Sequence, residues 1–511
     1  MLFHVFTILY MISVSCLSLY GLQALILSVL FLRKRNNNSP IPSEPQEWPS
    51  VTVQLPIYNE KYVVKRLLDS ISKLDYPSGK LSIQVLDDST DETTRVAAKK
   101  VKYYRGLGIN ITLLHRKDRS GYKAGALAAA LPTAEGDLIA IFDADFIPPQ
   151  DFLRRLVPDL AADPRLGMVQ ARWEHLNADY NLLTHSQALM LDGHFVVEQT
   201  ARSRSGLLFN FNGSGGIWRK ECIIDSGGWQ SDTLAEDLDL SYRAQLNGWR
   251  IAYVPNVVIP GELPAQIAAF KQQQYRWTRG GIQVLRKSFI WLLTSKQLSI
   301  EQRLMAFLQL SGYLSYPLIL LALISSLPVT LDKGLGIPYL PWLALAGLGG
   351  PVLFILSQAT TYRDWLRRLV YLPILLLLRM GLSFNNTRAV IDGFKRQSGV
   401  FERTPKFSLE SRRDSWQLKK YRLHLELDII VELLLAAYSA IALNYAIHNF
   451  VPLSPALIMF SLGFIFTGIT GWAQSMAKTR QQKSQTNPTV ANFAEPAQQP
   501  IISPPFRLPI Y

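Results

Sequence analysis

The stretch Leu138-Ile-Ala-Ile-Phe-Asp-Ala-Asp145 decides how this chain is read. Five apolar residues in a row make a short strand, and two carboxylates follow it almost at once. Runs of the same kind lie upstream at Val51–Ile57, Leu81–Leu86 and Ile109–Leu114. Helical stretches separate or follow them, at Tyr62–Lys73, Glu92–Tyr104, Lys123–Leu131 and Phe152–Ala161. Such alternation predicts βαβ units, a mostly parallel sheet and a soluble α/β domain over residues 50–298. In an open α/β sheet, ligands bind outside the carboxyl ends of the strands. Asp143 and Asp145 stand at one such end, and Asp87 and Asp88 stand at another. A helix cap explains acids of this kind one at a time. Two sites on one sheet, with no counter-charge adjacent in sequence, point to a cation or a polar ligand.

The rest of the chain is unlike a soluble enzyme. Of its 511 residues 48% are hydrophobic and only 18% charged, where soluble proteins average roughly 25%. Mean hydropathy is +0.10. These values exclude a disordered chain and point to a membrane. Two cysteines, Cys16 and Cys222, rule out a disulfide framework or a Cys-rich zinc site and suit a reducing compartment. The net charge is +14. The basic residues gather beside apolar runs, so they suit lipid headgroups and argue against nucleic acid.

Residues 1–35 read as an N-terminal anchor: Leu2–Leu32 is apolar, long enough to span, and has no signal-peptide cleavage site. Arg33, Lys34 and Arg35 follow it, so the positive-inside rule places the α/β domain in the cytosol. Two spans are expected within 303–360 (Arg303–Leu331 and Ile337–Ala359) and two within 425–477 (Leu427–Ile447 and Leu453–Met476). Between them, in 366–424, the apolar run Val370–Phe384 is short, contains Arg379 and has basic flanks on both sides. An amphipathic helix in the interface plane, or one buried against protein, satisfies this pattern; a clean crossing does not. Five spans then leave every basic cluster on one side. The tail 481–511, rich in Gln, Asn and Pro, reads as disordered.

The acids call for a hard divalent ion. Mg²⁺ or Mn²⁺ keeps one or two protein carboxylates and takes its other ligands from water and phosphate. No Gly-x-Gly-x-x-Gly follows the first strand and there is no Walker A loop. Instead Pro56-Ile-Tyr-Asn-Glu60 offers Tyr58 to stack on a nucleoside and Glu60 to hydrogen-bond it. Lys123 opens a helix, a placement suited to phosphate. Ala235-Glu236-Asp237-Leu-Asp239 precedes a helix; its acids are first-turn acids, or one of them is a general base. Gln273-Gln-Tyr-Arg276-Trp277 combines an amide, a cation and an indole. Seven histidines are scattered, none at His-Glu-x-x-His spacing, and His194 reads as a packing or acceptor-groove residue. Trp173, Trp218 and Trp249 are expected in the core.

In this order and spacing, Asp87/Asp88, Asp143-x-Asp145, Glu236-Asp237 and Gln273-x-x-Arg276-Trp277 resemble the D, DxD, TED and QxxRW motifs of processive family 2 glycosyltransferases. The resemblance is nearest to the plant cellulose synthase-like A and C groups, which make mannans and glucans, and to their bacterial relatives. Gly121-Tyr-Lys-Ala-Gly-Ala-Leu127, Val169-Gln-Ala-Arg-Trp173 and Gly227-Gly-Trp229 are also similar. It covers residues 50–290, and the membrane part by architecture. It implies a GT-A (Rossmann-like) α/β domain in the cytosol, fused to a multi-pass α-helical membrane region with an amphipathic interfacial helix.

The resemblance also implies roles. Tyr58, Glu60, Asp87 and Asp88 would hold the nucleoside, and Lys123 and Arg276 the diphosphate. Asp143 and Asp145 would bind nucleotide and metal. Asp237 would be the base, with Glu236 beside it. Gln273 and Trp277 would position the acceptor. Phe401-Glu-Arg-Thr404-Pro-Lys406 resembles an FxVTxK gating loop, so Thr404 and Lys406 would close over the nucleotide. TED has become Ala-Glu-Asp, which keeps both acids. The implied reaction is inverting, metal-dependent transfer of a hexose from UDP-glucose, GDP-mannose or another nucleotide sugar to a β-linked glycan. The implied setting is a plasma, inner or Golgi membrane, with homo-oligomerisation left open. Two alternatives remain: transfer of one sugar to a ceramide or diacylglycerol, and a non-catalytic scaffold or export subunit.

Overall fold

The computed structural model describes residues 2–36, 43–331, 347–395, 403–411, 414, 426–448 and 453–486. Seven strands form one sheet: β1 Val51–Ile57, β2 Leu81–Asp87, β3 Ile111–His115, β4 Leu138–Ile141, β5 Leu166–His175, β6 Gly216–Arg219 and β7 Arg250–Gly261. Their order across the sheet is β3-β2-β1-β4-β6-β5-β7. The four strands expected from the sequence are present and pair in parallel. Beyond them the sheet is mixed: β6 runs antiparallel to β4 and β5, while β7 is parallel to β5.

Side chains alternate across each strand. In β4 and just beyond it, Leu138, Ala140 and Phe142 join one core with Val53, Leu55, Phe152 and Leu156. Ile139 and Ile141 join the opposite core with Leu127, Trp218 and Leu240. Burial on both faces is why this strand is apolar throughout. Winding of the parallel strands reverses between β1 and β4, so their carboxyl ends open a crevice there.

Four described helices are long and apolar enough to cross a bilayer: His4–Lys34, Ile300–Leu331, Asp428–His448 and Ser454–Gln474, of 31, 32, 21 and 21 residues. At about 1.5 Å per residue the shortest reaches the roughly 30 Å hydrocarbon thickness. The protein is a membrane protein. The first part of the expected span 337–359 lies outside the described residues, and the helix Gly349–Thr361 accounts for the rest. Phe401 and much of the basic stretch 396–425 also lie outside them, as does the tail beyond Thr486. The last helix, Ser454–Thr486, runs through the point at which the tail was expected to begin.

The segment around 370–384 forms helices Leu372–Gly381 and Ser383–Phe394, part of a run bent by 48°. Taken together the bent run is also long and apolar enough to span. Leu378 and Leu382 pack against Ile267 and Phe270 of the domain. Gly381 sits against Gly463 and Thr467 of the last helix, where a Cβ would come within 2.4 Å of Thr467. Small residues permit that approach.

Helix Ile267–Thr294 roots the α/β domain in this bundle. Lys271 and Glu432 form an ion pair there, with side chains 1% and 0% exposed. Asn385 Nδ2 donates to the Lys271 carbonyl at 3.1 Å. Removing one partner of a buried pair leaves the other charge uncompensated, at a cost of about 3–5 kcal/mol. Glu432→Ala is therefore expected to lower the thermal unfolding temperature in detergent sharply, whereas an exposed control such as Glu47→Ala leaves it unchanged.

Candidate active site

At the carboxyl ends of β1 and β4 lies a cavity of about 1320 Å³, its open mouth included. Tyr58 and Glu60 reach it from the end of β1, Asp88 from β2, and Asp143 and Asp145 from β4. Lys123 enters from the helix Tyr122–Ala130, and Glu236 and Asp237 from the first turn of the helix Glu236–Leu246. Gln273, Arg276 and Trp277, three and four residues apart on helix Ile267–Thr294, share one face and line it too. Thr404 and Lys406 complete the wall from a segment that follows the bent helix pair.

Asp87 alone, among the residues expected from the sequence, is not in the lining. It is fully buried, with Oδ2 3.0 Å from His115 Nδ1 and Oδ1 accepting from the Ser89 amide at 3.0 Å. Successive residues leaving a strand point to opposite sides, so only one of an adjacent pair can face the cavity. That one is Asp88, gripped by Arg116 through two bonds of 2.8 and 2.6 Å.

The counter-charges absent from the neighbouring sequence come from other elements. Lys123 Nζ lies 2.6 Å from Asp143 Oδ1 and 3.7 Å from Glu236 Oε1, and donates to the Gly213 carbonyl at 2.8 Å. Lys406 pairs with Asp145 and donates to the Glu262 carbonyl at 2.9 Å. Burial opposes the Lys123 charge, but Asp143 and Glu236 outweigh it and hold the ammonium above its ordinary pKa. Gly213 has φ +85, and a Cβ there would come within 2.9 Å of Asp237 Oδ2. The glycine is what lets the loop carbonyl, the lysine and this carboxylate meet.

Asp237 is pushed up to about 7, by desolvation first and by the neighbouring Glu236 second, with Lys123 opposing. Glu60 is also pushed up to about 7 by burial, against the pull of Arg403. Among the described residues its Oε2 is buried without a hydrogen-bond partner, as is Thr404 Oγ1. Unpaired groups of this kind cost roughly 1–3 kcal/mol each, which a ligand donor or acceptor recovers.

Several wall residues escaped the sequence reading. Arg119 lies over the Tyr58 ring, 3.4 Å from its centroid, and Arg403 donates to the Tyr58 carbonyl at 3.0 Å. Glu262 ties the 403–411 segment down, accepting from the Phe407 amide at 2.8 Å and pairing with Arg66 at 3.3 Å. Trp173, expected in the core, lines the cavity, whereas Trp218 is core. Arg119 lies on the loop beyond β3 that leads into the helix of Lys123, and that proximity was the available signal.

Among the described residues no group of three or more His, Cys, Asp or Glu could hold a metal by itself. Asp143 and Asp145 are two carboxylates on one wall. That donor set fits Mg²⁺ or Mn²⁺ when phosphate oxygens supply further ligands.

A mixed sheet with an acid-lined crevice at its switch point is the architecture of a GT-A-like transferase domain. Residues 49–280 match the family described as "Glycosyltransferase like family 2", and the chain carries a glycosyltransferase family 2 domain. It is 42% identical over 261 residues to "Probable glucomannan 4-beta-mannosyltransferase 6" of Oryza sativa subsp. japonica, covering 50% of this chain and 46% of that protein. It is 41% identical over 260 residues to "Glucomannan 4-beta-mannosyltransferase 7" of Arabidopsis thaliana, covering 50% and 47%. The chain thus spans about half the length of these curated relatives. A solved structure, "Mannosyltransferase PcManGT from Pyrobaculum calidifontis in complex with GDP-Man and Mn2+", shares the fold at TM-score 0.54 and 22% identity, covering 75% of this chain and 98% of its own.

Asp237 supplies a test independent of turnover. An acid whose folded pKa is raised weakens the fold at any pH above its unfolded value of about 3.9, and most fully above the folded value. Asp237→Asn is therefore expected to raise the melting temperature at pH 8, with the gain shrinking as the pH falls toward about 4. A melting temperature that drops at pH 8 would show that the carboxylate is not under electrostatic strain.

Proposed function

We propose that the protein is a membrane-bound inverting glycosyltransferase that moves a hexose from a nucleoside diphosphate sugar to the growing end of a β-linked glycan. The observation that carries this reading is the meeting, in one cavity, of a carboxylate titrating near neutrality with a carboxylate pair and phosphate-seeking cations. Tyr58 stacks on the base, and Glu60 and Asp88 hydrogen-bond the nucleoside. Lys123, Arg276 and Lys406 hold the diphosphate, and Thr404 caps it. Asp143 and Asp145 would hold Mg²⁺ or Mn²⁺, which would neutralise charge on the leaving diphosphate. Gln273 and Trp277 place the acceptor hydroxyl opposite the leaving group, so an α-linked donor gives a β-linked product.

Asp237 takes the proton of the attacking hydroxyl. A base with a pKa near 7 is matched to that task at cellular pH, and burial sets it there with repulsion from Glu236 adding to it. The curated relatives are named glucomannan 4-beta-mannosyltransferases, which favours a mannosyl donor and a β-1,4 product. Arg33, Lys34 and Arg35 at the end of the first helix favour a cytosolic catalytic domain, with basic residues at its lipid surface. The membrane helices then guide the polymer away from the site.

Membranes containing the protein should incorporate label from GDP-mannose or UDP-glucose in the presence of Mg²⁺ or Mn²⁺ into polymer that a β-mannanase or β-glucanase digests. Asp237→Asn should lower this by about 10²- to 10⁴-fold, the usual worth of a positioned base, while nucleotide binding persists. Label recovered in the lipid extract in place of polymer would reassign the acceptor. Unimpaired turnover in Asp237→Asn would refute the base assignment.

A further inference from the structure

His175 ends β5, so it stands at the carboxyl edge of the sheet as Asp143 and Asp145 do, yet no role falls to it in the reaction just described. Its side chain is 3% exposed and lines the cavity. Nε2 lies 3.0 Å from Asp192 Oδ1, and Asp192 is itself 2% exposed. The other oxygen of Asp192 accepts from Gln358 Nε2 at 2.9 Å, and Gln358 belongs to the helix Gly349–Thr361 of the membrane region. The imidazole is thus held from behind by a carboxylate that is held in turn.

A carboxylate only accepts, so the ring proton sits on Nε2. When the ring is neutral, Nδ1 presents a lone pair. Among the described residues no group hydrogen-bonds this nitrogen. It is an accessible acceptor on the wall of the cavity, open to a ligand donor.

Its surroundings indicate which ligand. β5 lies on the opposite flank of β4 from β1, β2 and β3, whose ends supply Tyr58, Glu60 and Asp88. His175 pairs in register with Gly261, just before Leu263, and Leu263 packs in one cluster with Trp173 and Trp277. An indole wall beside a fixed polar atom matches a sugar, whose C–H face stacks while a hydroxyl donates. We propose that His175 is an acceptor-binding residue whose Nδ1 accepts a hydroxyl of the glycan, with Asp192 as the positioning residue that fixes its tautomer. This rests on the glycosyltransferase reading and names a determinant of acceptor recognition within it.

The test uses the full-length protein in nanodiscs with GDP-mannose, Mn²⁺ and β-1,4-mannohexaose as acceptor. His175→Phe and His175→Leu differ in volume but both lack the acceptor atom. Each is expected to raise KM for mannohexaose about tenfold, as loss of one buried hydrogen bond implies. The dissociation constant for GDP and the slow hydrolysis of donor to water should stay at wild-type values. His175→Gln, whose amide oxygen still accepts, should recover most of the loss. An unchanged KM in the folded variants overturns the assignment, and so does an equal loss of GDP affinity, which would mark His175 as a mere wall. If wild-type protein transfers mannose to no oligosaccharide, the underlying function fails instead, and that result is seen before any variant is read.

Discussion

Mutual repulsion among Asp143, Asp145, Glu236 and Asp237 is the constraint around which the rest of the molecule is arranged. Four carboxylates on one wall cannot all stay ionised unless cations are brought among them. Lys123 arrives from the crossover between β3 and β4 and faces three of the four. Lys406 arrives from the segment that follows the bent helix pair and neutralises the fourth. The two lysines suppress the repulsion while the site is empty of substrate. On the proposed function they are also the groups that an incoming diphosphate would claim. Substrate entry is then an exchange of anionic partners for cations already in place, with little new charge to desolvate.

That arrangement makes the cavity a joint product of two regions. Residues 403–411 are pinned to the α/β domain by Glu262 and Arg66 and by burial of Phe407 and Leu409. The wall that carries Gln273 and Trp277 is set by helix Ile267–Thr294, where Lys271 meets Glu432 only a few residues before Gln273. The position of that face therefore depends on how the bundle packs. Gly213, Gly381 and Gly463 mark close approaches, where a side chain would separate groups that have to meet.

Much of this could be read from the sequence, for identifiable reasons. β1, β2 and β4 are short, largely apolar runs buried on both faces, and β3 is a short edge strand with an apolar centre, so hydropathy reveals all four. β5 ends in Glu174 and His175 because it borders the cavity, and Pro255-Asn256 interrupts β7 where its register with β5 shifts, so the alternation of both is weaker. The acids stood out because a carboxylate at a strand end is chemically conspicuous. Their partners did not, since Arg116 and Lys406 are remote in sequence from the acids they meet. Asp87 and Asp88 could not be told apart before the strand's phase was known. The bent segment around 370–384 shows a different limit: its composition was equally compatible with lying in the interface and with burial against protein. The contacts with Ile267 and Phe270 give it protein cover on one side.

The junction at Lys271 bears on how the protein can be dissected. A fragment ending near residue 298 would retain the whole sheet and still lose the anion that accompanies this ammonium, the cover over Ile267 and Phe270, and the basic strap beside Asp145. It would present an orphan cation and a greasy scar where the native chain has a dry joint. The soluble-looking half is for that reason an organ of the membrane assembly, and a liposome or nanodisc is the smallest vessel in which its chemistry is whole.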